Sequence, residues 1–340
     1  MPKINLDQAQ EFAKNISSKD NVAVIFDNDS DGFCSGTIMY SYCKKKNAKV
    51  EGFPFTRGIS EINKESMREF NKIIITDIGP GLIKDYLEAL KDKEILYVDH
   101  HPKDVEITEA VLEYRSLAEE GEYFPSSRSA YEITEEKKWL GIIGTICDYG
   151  HKYPENKEFI NSFLKKEGLK LEEFEKKFVY TLSNFLLYFN KNPKEAFEIL
   201  KKIEIYEEIK TLKKYSKPVQ EEIDKTLESF EVEKKKIGKI YYFYFEPKFS
   251  VKSVVISMIS SRNPEEIFIF TNPMANADKI SIGARCQSGK FDMAELLKKC
   301  TKDFEWKTAG GHFKASGANI LKKDFKKFKE NLKKYSDENL

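Results

Sequence analysis

The sequence predicts an α/β protein in three parts. An N-terminal domain over residues 1–204 has a mostly parallel sheet with helices on both faces. A helical linker follows over 205–237, and a smaller C-terminal α/β domain over 238–340. Three observations lead there. In the first half, short and nearly continuous Val/Ile-rich runs alternate with helical stretches, as in parallel sheets buried on both faces. A long polar helical run from Tyr206 to Lys235, broken only by Pro218, has the composition of a linker. Beyond it, aromatic and β-branched runs return, punctuated by glycines.

Taken in order, NVAVIFD (21–27), KIIITDI (72–78) and EILYVDH (94–100) read as strands, with a helix at GTIMYSYCKKK between the first two. No G-x-G-x-x-G follows the first strand, so a dinucleotide fold is not indicated. Residues 136–235 read as largely helical, and KKWLGIIGTICDYG is one apolar helix. In the last hundred residues KIYYFYF (239–245), EIFIFTN (266–272) and KISIGARCQ (279–287) read as strands. FDMAELLKKC reads as a helix with Asp292 in its first turn, and TAGGHFKASGANI as a glycine-punctuated loop and strand.

Composition narrows the function classes. No run of 18 apolar residues exists, so no membrane span is expected. The opening MPKINLDQAQ lacks the charged-then-apolar form of a signal peptide. The five cysteines are dispersed without C-x-x-C spacing, which argues for a reducing, cytoplasmic setting and against a thiolate zinc site. The net charge of +1 hides an asymmetry: residues 238–340 carry 19 Lys and Arg against 12 Asp and Glu. A basic C-terminal part suits a polyanion, and the acidic remainder suits metal. Some of that basic excess is the solvated face of the last helix, where Phe325 and Phe328 sit at helical spacing with lysines opposite.

The acids and histidines are placed unusually. Each of the three N-terminal strands ends in acid: Asp27, running on to Asp29 and Asp31; Asp77; and Asp99, followed by His100 and His101. In open α/β sheets functional groups gather at the carboxyl ends of strands. The chain has only four histidines, His100, His101, His151 and His312. Asp148 ends an otherwise apolar helix, where a negative charge opposes the helix dipole and calls for a cation. The D-x-D-x-D-G run from Asp27 to Gly32 resembles the start of a calcium loop. Its twelfth position is Ile38 rather than glutamate, however, and a strand precedes it. Crowded carboxylates without a cation would repel. A mixed Asp/His set points to manganese, magnesium or zinc rather than calcium.

These residues resemble the DHH phosphoesterase superfamily. DNDSDG is similar to its first motif, Asp77 in TDIGP to the second, VDHHP to the third and Asp148 in GTICDYG to the fourth. AGGHFKASG resembles the signature of the DHH-associated C-terminal domain. The likeness runs in order from residue 21 to about 320 and is nearest to RecJ-type nucleases and their archaeal relatives. It implies two divalent ions, Mn²⁺ first and Mg²⁺ as the alternative. Asp29 and Asp77 would hold one, with Asp27 contributing; Asp31, Asp77, His100 and Asp148 would hold the other. Asp99 would orient an adjacent histidine, and His101 would lie against the scissile phosphate. Arg285, Gly310, Gly311 and His312 would contact phosphate or the terminal nucleotide. One departure is Ile25, where many members place a histidine; either Asp27 substitutes or the first ion is held more weakly.

The resemblance implies an exonuclease on single-stranded DNA or RNA, working by a two-metal mechanism in which the cations clamp the attacking and leaving oxygens. It implies a place in DNA repair, and a replication or repair protein as a partner. Within the same superfamily stand a nanoRNase or 3′-phosphoadenosine phosphate phosphatase acting on very short substrates, favoured by the compact length, and an inorganic pyrophosphatase, disfavoured by the GGH-bearing domain. A non-catalytic replisome scaffold is the alternative from another class; such scaffolds usually lose motif acids, which are intact here.

Overall fold

The runs read as strands build the centre of the N-terminal sheet. The structure is a computed structural model, and it describes residues 4–56, 62, 65–103, 105–108, 110–116, 123–274 and 278–339. The chain divides into two compact units, Met1–Ser216 and Lys217–Leu340.

In the first unit, strands β1 (Asn21–Asp27), β2 (Lys49–Phe55), β3 (Lys72–Thr76), β4 (Glu94–Asp99) and β5 (Val111–Arg115) form one sheet in the order β2-β1-β3-β4-β5. All four pairings are parallel. Side chains alternate between two apolar layers. Val22, Val24, Phe26, Ile74, Leu96 and Val98 pack into one; Ala23, Ile25, Ile73, Ile75, Ile95 and Tyr97 pack into the other. Helices α1 (Leu6–Lys14), α2 (Ser30–Lys45), α4 (Ser126–Thr134) and α5 (Lys138–Cys147) cover the first layer, and α3 (Pro80–Ala89) covers the second. Burial on both faces is why these strands read as continuous apolar runs; each buried Val or Ile contributes about 1.5–3 kcal/mol.

The edge strands β2 and β5 were not legible. β2 contains Gly52 and Pro54, residues that weaken a strand reading and are tolerated at a sheet edge. β5 is five residues long with a charged Glu113 and Arg115.

Helices α6 (Pro154–Glu167), α7 (Leu171–Phe174), α8 (Tyr180–Tyr188) and α9 (Pro193–Leu200) complete the first unit. The 205–237 span is distributed between the units. Ile209 and Leu212 are buried in the first core, whereas helix α10 (Lys213–Glu233) runs through Pro218 and brings Phe230 against Phe243 and Phe270 of the second unit.

The second unit has strands β6 (Lys235–Ile237), β7 (Ile240–Tyr244), β8 (Ile267–Pro273), β9 (Lys279–Arg285), β10 (Lys307–Gly311) and β11 (Ala315–Leu321), ordered β10-β11-β9-β8-β7-β6. Only β7 and β8 pair parallel. Helices α12 (Met293–Thr301) and α13 (Phe325–Asn339) pack on one face with Ile280, Ile282, Ala284 and Ile320. Helix α11 (Lys252–Arg262) lies against β8 and β9. Among the described residues no helix is long and apolar enough to cross a membrane.

Packing of α2 on β1 is tight enough to test. A Cβ at Gly36 would fall 2.3 Å from the ring of fully buried Phe26. Gly36→Ala is expected to destabilise the first unit by about 1–3 kcal/mol through overpacking. The check is the urea midpoint, and an unchanged midpoint would contradict this contact.

Candidate metal centre

The sheet order places the candidate residues. From β1 the chain moves to β2 on one side, then returns to β3 on the other. The reversal opens a crevice at the carboxyl ends of β1 and β3, where open α/β sheets bind ligands. Asp27 ends β1, and Asp77 follows β3.

The D-x-D-x-D-G run is a strand end, a helix cap and a first turn. Asp29 is the N-cap of α2, its carboxylate accepting from the Gly32 N–H at 2.9 Å. Gly32 is required because a Cβ there would sit 2.3 Å from the Asp27 carbonyl oxygen. Asp31, in the first turn of α2, is buried and accepts from the Ser126 and Ser127 N–H groups at 2.7 and 3.1 Å. Helix α4 begins at Ser126 after a Pro125 cap that offers no side-chain acceptor, so the Asp31 carboxylate caps it from outside.

Asp77 is buried with φ +65°, a left-handed conformation that costs energy outside glycine. It accepts from Ser126 Oγ at 3.0 Å. His100 stands at the middle of the group. Its Nε2 lies 3.0 Å from Asp77, 3.6 Å from Asp148 and 4.0 Å from Asp31. Asp148 caps the end of α5 and accepts from the Tyr123 hydroxyl.

Among the described residues two sets have metal-ligand spacing: Asp31, His100 and Asp148, and Asp77, His100 and His101, each with its ligand atoms within 4.8 Å of one another. Asp27 and Asp29 fall outside both sets. So does His151, whose Nδ1 is buried without a hydrogen bond. Ile25 lies fully buried among the residues of the second apolar layer, so no ligand is available from that position. Arg128 is committed to structure: it pairs with Glu132 at 2.9 Å, donates to Asn156 at 2.8 Å and stacks on Phe124 at 3.8 Å.

Electrostatics shows what the cluster lacks. Burial, then the Asp148 and Asp29 charges, raise the Asp31 carboxyl. Burial, then Asp31 and Asp29, raise Asp77. Burial raises Asp148, and burial with Asp29 lifts Asp27 to about 6. The acids titrate as a group. His100 cannot neutralise them, because burial and the neighbouring His101 push its imidazole down to about 4. It is neutral at pH 7, and its Nδ1 makes no hydrogen bond. Two carboxylates about 4.8 Å apart repel by about 3.5 kcal/mol at an effective dielectric of 20, more than one charge-assisted hydrogen bond returns. A proton or a cation must enter. Buried carboxylates around a neutral imidazole are the donor set of a hard-to-borderline divalent ion, so the residues fit one.

His101 behaves oppositely. Burial would lower it, but its Nδ1 contact with Asp99, 2.8 Å, and the Asp99 charge hold it up at about 9. Asp99 stays ionised despite burial, held low by His101 and Arg115, which lies 2.9 Å away. Arg115 is fixed by Glu113 at 2.7 Å, and Tyr97 donates to Asp99 at 3.0 Å. Sequence reading missed Arg115, Tyr97, Tyr123, Ser126 and Ser127. The Pro-Ser-Ser that opens α4 was the one available signal.

In the second unit, Arg285 ends β9 and donates to the Ala284 and Ser316 carbonyls at 2.9 and 3.3 Å. His312 is exposed at the β10–β11 turn. Gly311 has φ +134°, and a Cβ there would meet the Ala315 carbonyl oxygen at 2.7 Å, so the turn requires glycine. Gly310 precedes it in β10 and is exposed.

A doubly wound parallel sheet with an acid-and-histidine cluster at its reversal point defines the class of the first unit. Residues 21–153 match the DHH family, N-terminal domain. The fold is similar to that of exonuclease RecJ bound to manganese (TM-score 0.73, 15% identity, 100% of this chain and 96% of that chain). It is also similar to RecJ in complex with Mn²⁺ from Thermus thermophilus (0.70, 16%, 99% and 55%), and to CDC45 from Entamoeba histolytica (0.58, 11%, 98% and 99%). No curated protein matches the sequence.

The raised carboxyls make a pH prediction. A group whose folded pKa exceeds its unfolded value of about 3.9 binds its proton more tightly when folded. Stability of the metal-stripped protein is therefore expected to fall as pH rises from about 4 across neutrality. Added Mn²⁺ should abolish that fall. Thermal melts in EDTA and in Mn²⁺ at several pH values test it, and identical profiles would contradict it.

Proposed function

We propose that this chain is a metal-dependent phosphodiesterase, an exonuclease that hydrolyses single-stranded DNA or RNA. The observation that carries the reading is the cluster of Asp31, Asp77 and Asp148 around a neutral His100, beside a His101 held protonated. Asp31, Asp77, His100 and Asp148 would hold one divalent ion. Asp29 and Asp77, with Asp27 contributing, would hold a second, as the family resemblance implies. Manganese is the preferred ion and magnesium the alternative, supported by the mixed carboxylate–imidazole set and by the manganese carried by the RecJ structures. When bound, the ions supply positive charge to the attacking and leaving oxygens of an in-line displacement.

The protein's own groups do the rest. Protonated His101 donates a hydrogen bond to a non-bridging phosphate oxygen and stabilises the charge that grows there. Asp99 keeps the imidazolium charged and aimed, and Arg115 keeps Asp99 ionised. Ser126, Ser127 and Tyr123 hold the carboxylates in place so that little rearrangement accompanies ion binding. Arg285, Gly310, Gly311 and His312 of the second unit bind the substrate. The CDC45 likeness raises a non-catalytic reading with a replisome partner, but the intact acid cluster favours catalysis.

The test is incubation with Mn²⁺ and a 20-mer, as DNA and as RNA, labelled at either end. A product ladder is expected from the wild type. Asp31→Ala should slow it at least about a hundredfold, beyond the about 10–100-fold typical of losing a group that only orients a ligand. Degradation of dinucleotides alone would move the assignment to short substrates. Silence on both would overturn the catalytic reading.

A further inference from the structure

The stretch YGHKY (149–153) directly follows Asp148, and it carries rings that its local structure does not ask for. Tyr149 has φ +57°, a left-handed conformation that favours glycine. Burial does not offset that cost, because Tyr149 is 54% exposed. Tyr153 is the N-cap of α6, where Ser, Thr, Asp or Asn is preferred, and its side chain makes no cap hydrogen bond. It is 39% exposed. Single exposed rings are ordinary on a protein surface. Two such rings at backbone positions that disfavour them, beside a candidate metal ligand, call for a contact outside the chain.

The rings continue a path that leads outward from the metal centre. His100 meets Tyr123 edge-on at a centroid separation of 5.3 Å, and Tyr123 lies against Tyr153 at 4.4 Å with the planes 31° apart. The Tyr123 hydroxyl is tied to Asp148, so the inner ring is fixed while the outer one reaches solvent. The Lys152 ammonium sits 4.4 Å from the Tyr149 ring centroid. A third exposed ring, Tyr180, opens α8 at the end of a π-helical segment, Glu175–Val179. Such segments are rare and gather at functional sites. Burial and Glu175 raise the Tyr180 hydroxyl, and Tyr149 adds to the rise, so the two tyrosines lie within electrostatic range. Rings interleaved with a cation are the parts with which proteins hold single strands: bases stack on the rings and the cation tracks the backbone. Continuity with the cluster selects that occupant, because what stacks on Tyr153 lies next to what binds at His100.

We propose that Tyr149 and Tyr153 form a stacking platform for nucleobases of a single-stranded substrate, with Tyr180 beside it and Lys152 facing the sugar–phosphate backbone, so that the strand reaches the cluster along the Asp148 side. The proposal rests on the nuclease reading for the strand. It makes the rings determinants of specificity. They require a base, and since every base has a π-face they do not choose among bases.

The experiment uses the full chain in EDTA, so that nothing is hydrolysed, and calorimetry follows the binding of two unlabelled probes. One is pentathymidylate. The other is a pentamer of the same charge whose bases are replaced by hydrogen. The wild type should bind pentathymidylate at least about tenfold more tightly, the worth of a base stacked on an aromatic ring. Tyr149→Gly and Tyr153→Leu should each remove most of that preference and leave the affinity for the base-free pentamer unchanged. Tyr149→Gly should do so without lowering the melting temperature, because glycine relieves the left-handed backbone; a structural role for the ring would lower it. If the preference is absent, or both variants keep it, the platform is wrong and the nuclease reading stands, since cleavage of the 20-mer is measured apart from it. If the preference depends on the tyrosines but Mn²⁺ yields no cleavage of any strand, the platform stands and the nuclease reading falls. Binding of neither pentamer overturns the platform.

Discussion

Repulsion among carboxylates that the fold holds together out of water is the constraint on which the first unit turns. The β1, β3 and β4 side chains are committed to two apolar layers, so polar chemistry emerges only where the strands end. The reversal of strand order then brings Asp77 towards Asp31, and α5 adds Asp148 from a separate element. No single segment could hold three acids so close. The hydrophobic sheet supplies the stability that this arrangement costs, and a left-handed Asp77 is part of that cost.

Two histidines adjacent in sequence are driven to opposite states by their surroundings. His100 turns into the buried cluster and stays neutral, which leaves an imidazole nitrogen able to ligate. His101 turns to Asp99 and stays charged. The difference is set by burial, which lowers His100, and by Asp99, whose hydrogen bond and charge raise His101; Asp99 is in turn held ionised by His101 and by Arg115 on the edge strand β5. Under the proposed function, an ion-binding group and a phosphate-facing cation would thus come from neighbouring residues without competing for the same proton.

The central strands and their terminal acids were legible because burial on both faces writes itself as an unbroken Val/Ile run, and an acid at its end breaks the pattern visibly. What was not legible came from elements without such a signature. β2 carries Gly52 and Pro54, and β5 is short and charged, so the supporting Arg115 went unseen. Tyr123, Ser126 and Ser127 reach the acids from a loop and a helix start that only the tertiary fold brings near. Asp27 and Asp29 read as ligands by their place in a motif, whereas here Asp29 also caps α2. In the second unit Gly310 and Gly311 read as one pair. Register separates them: Gly311 serves the turn, and Gly310 pairs with Gly317 of β11.

The claim that a divalent cation balances the buried acids is tested most directly by anomalous diffraction at the manganese edge from Mn²⁺-soaked crystals. The account predicts a peak enclosed by Asp31, Asp77, His100 and Asp148. A clean map there, or manganese bound only at surface carboxylates, would contradict it.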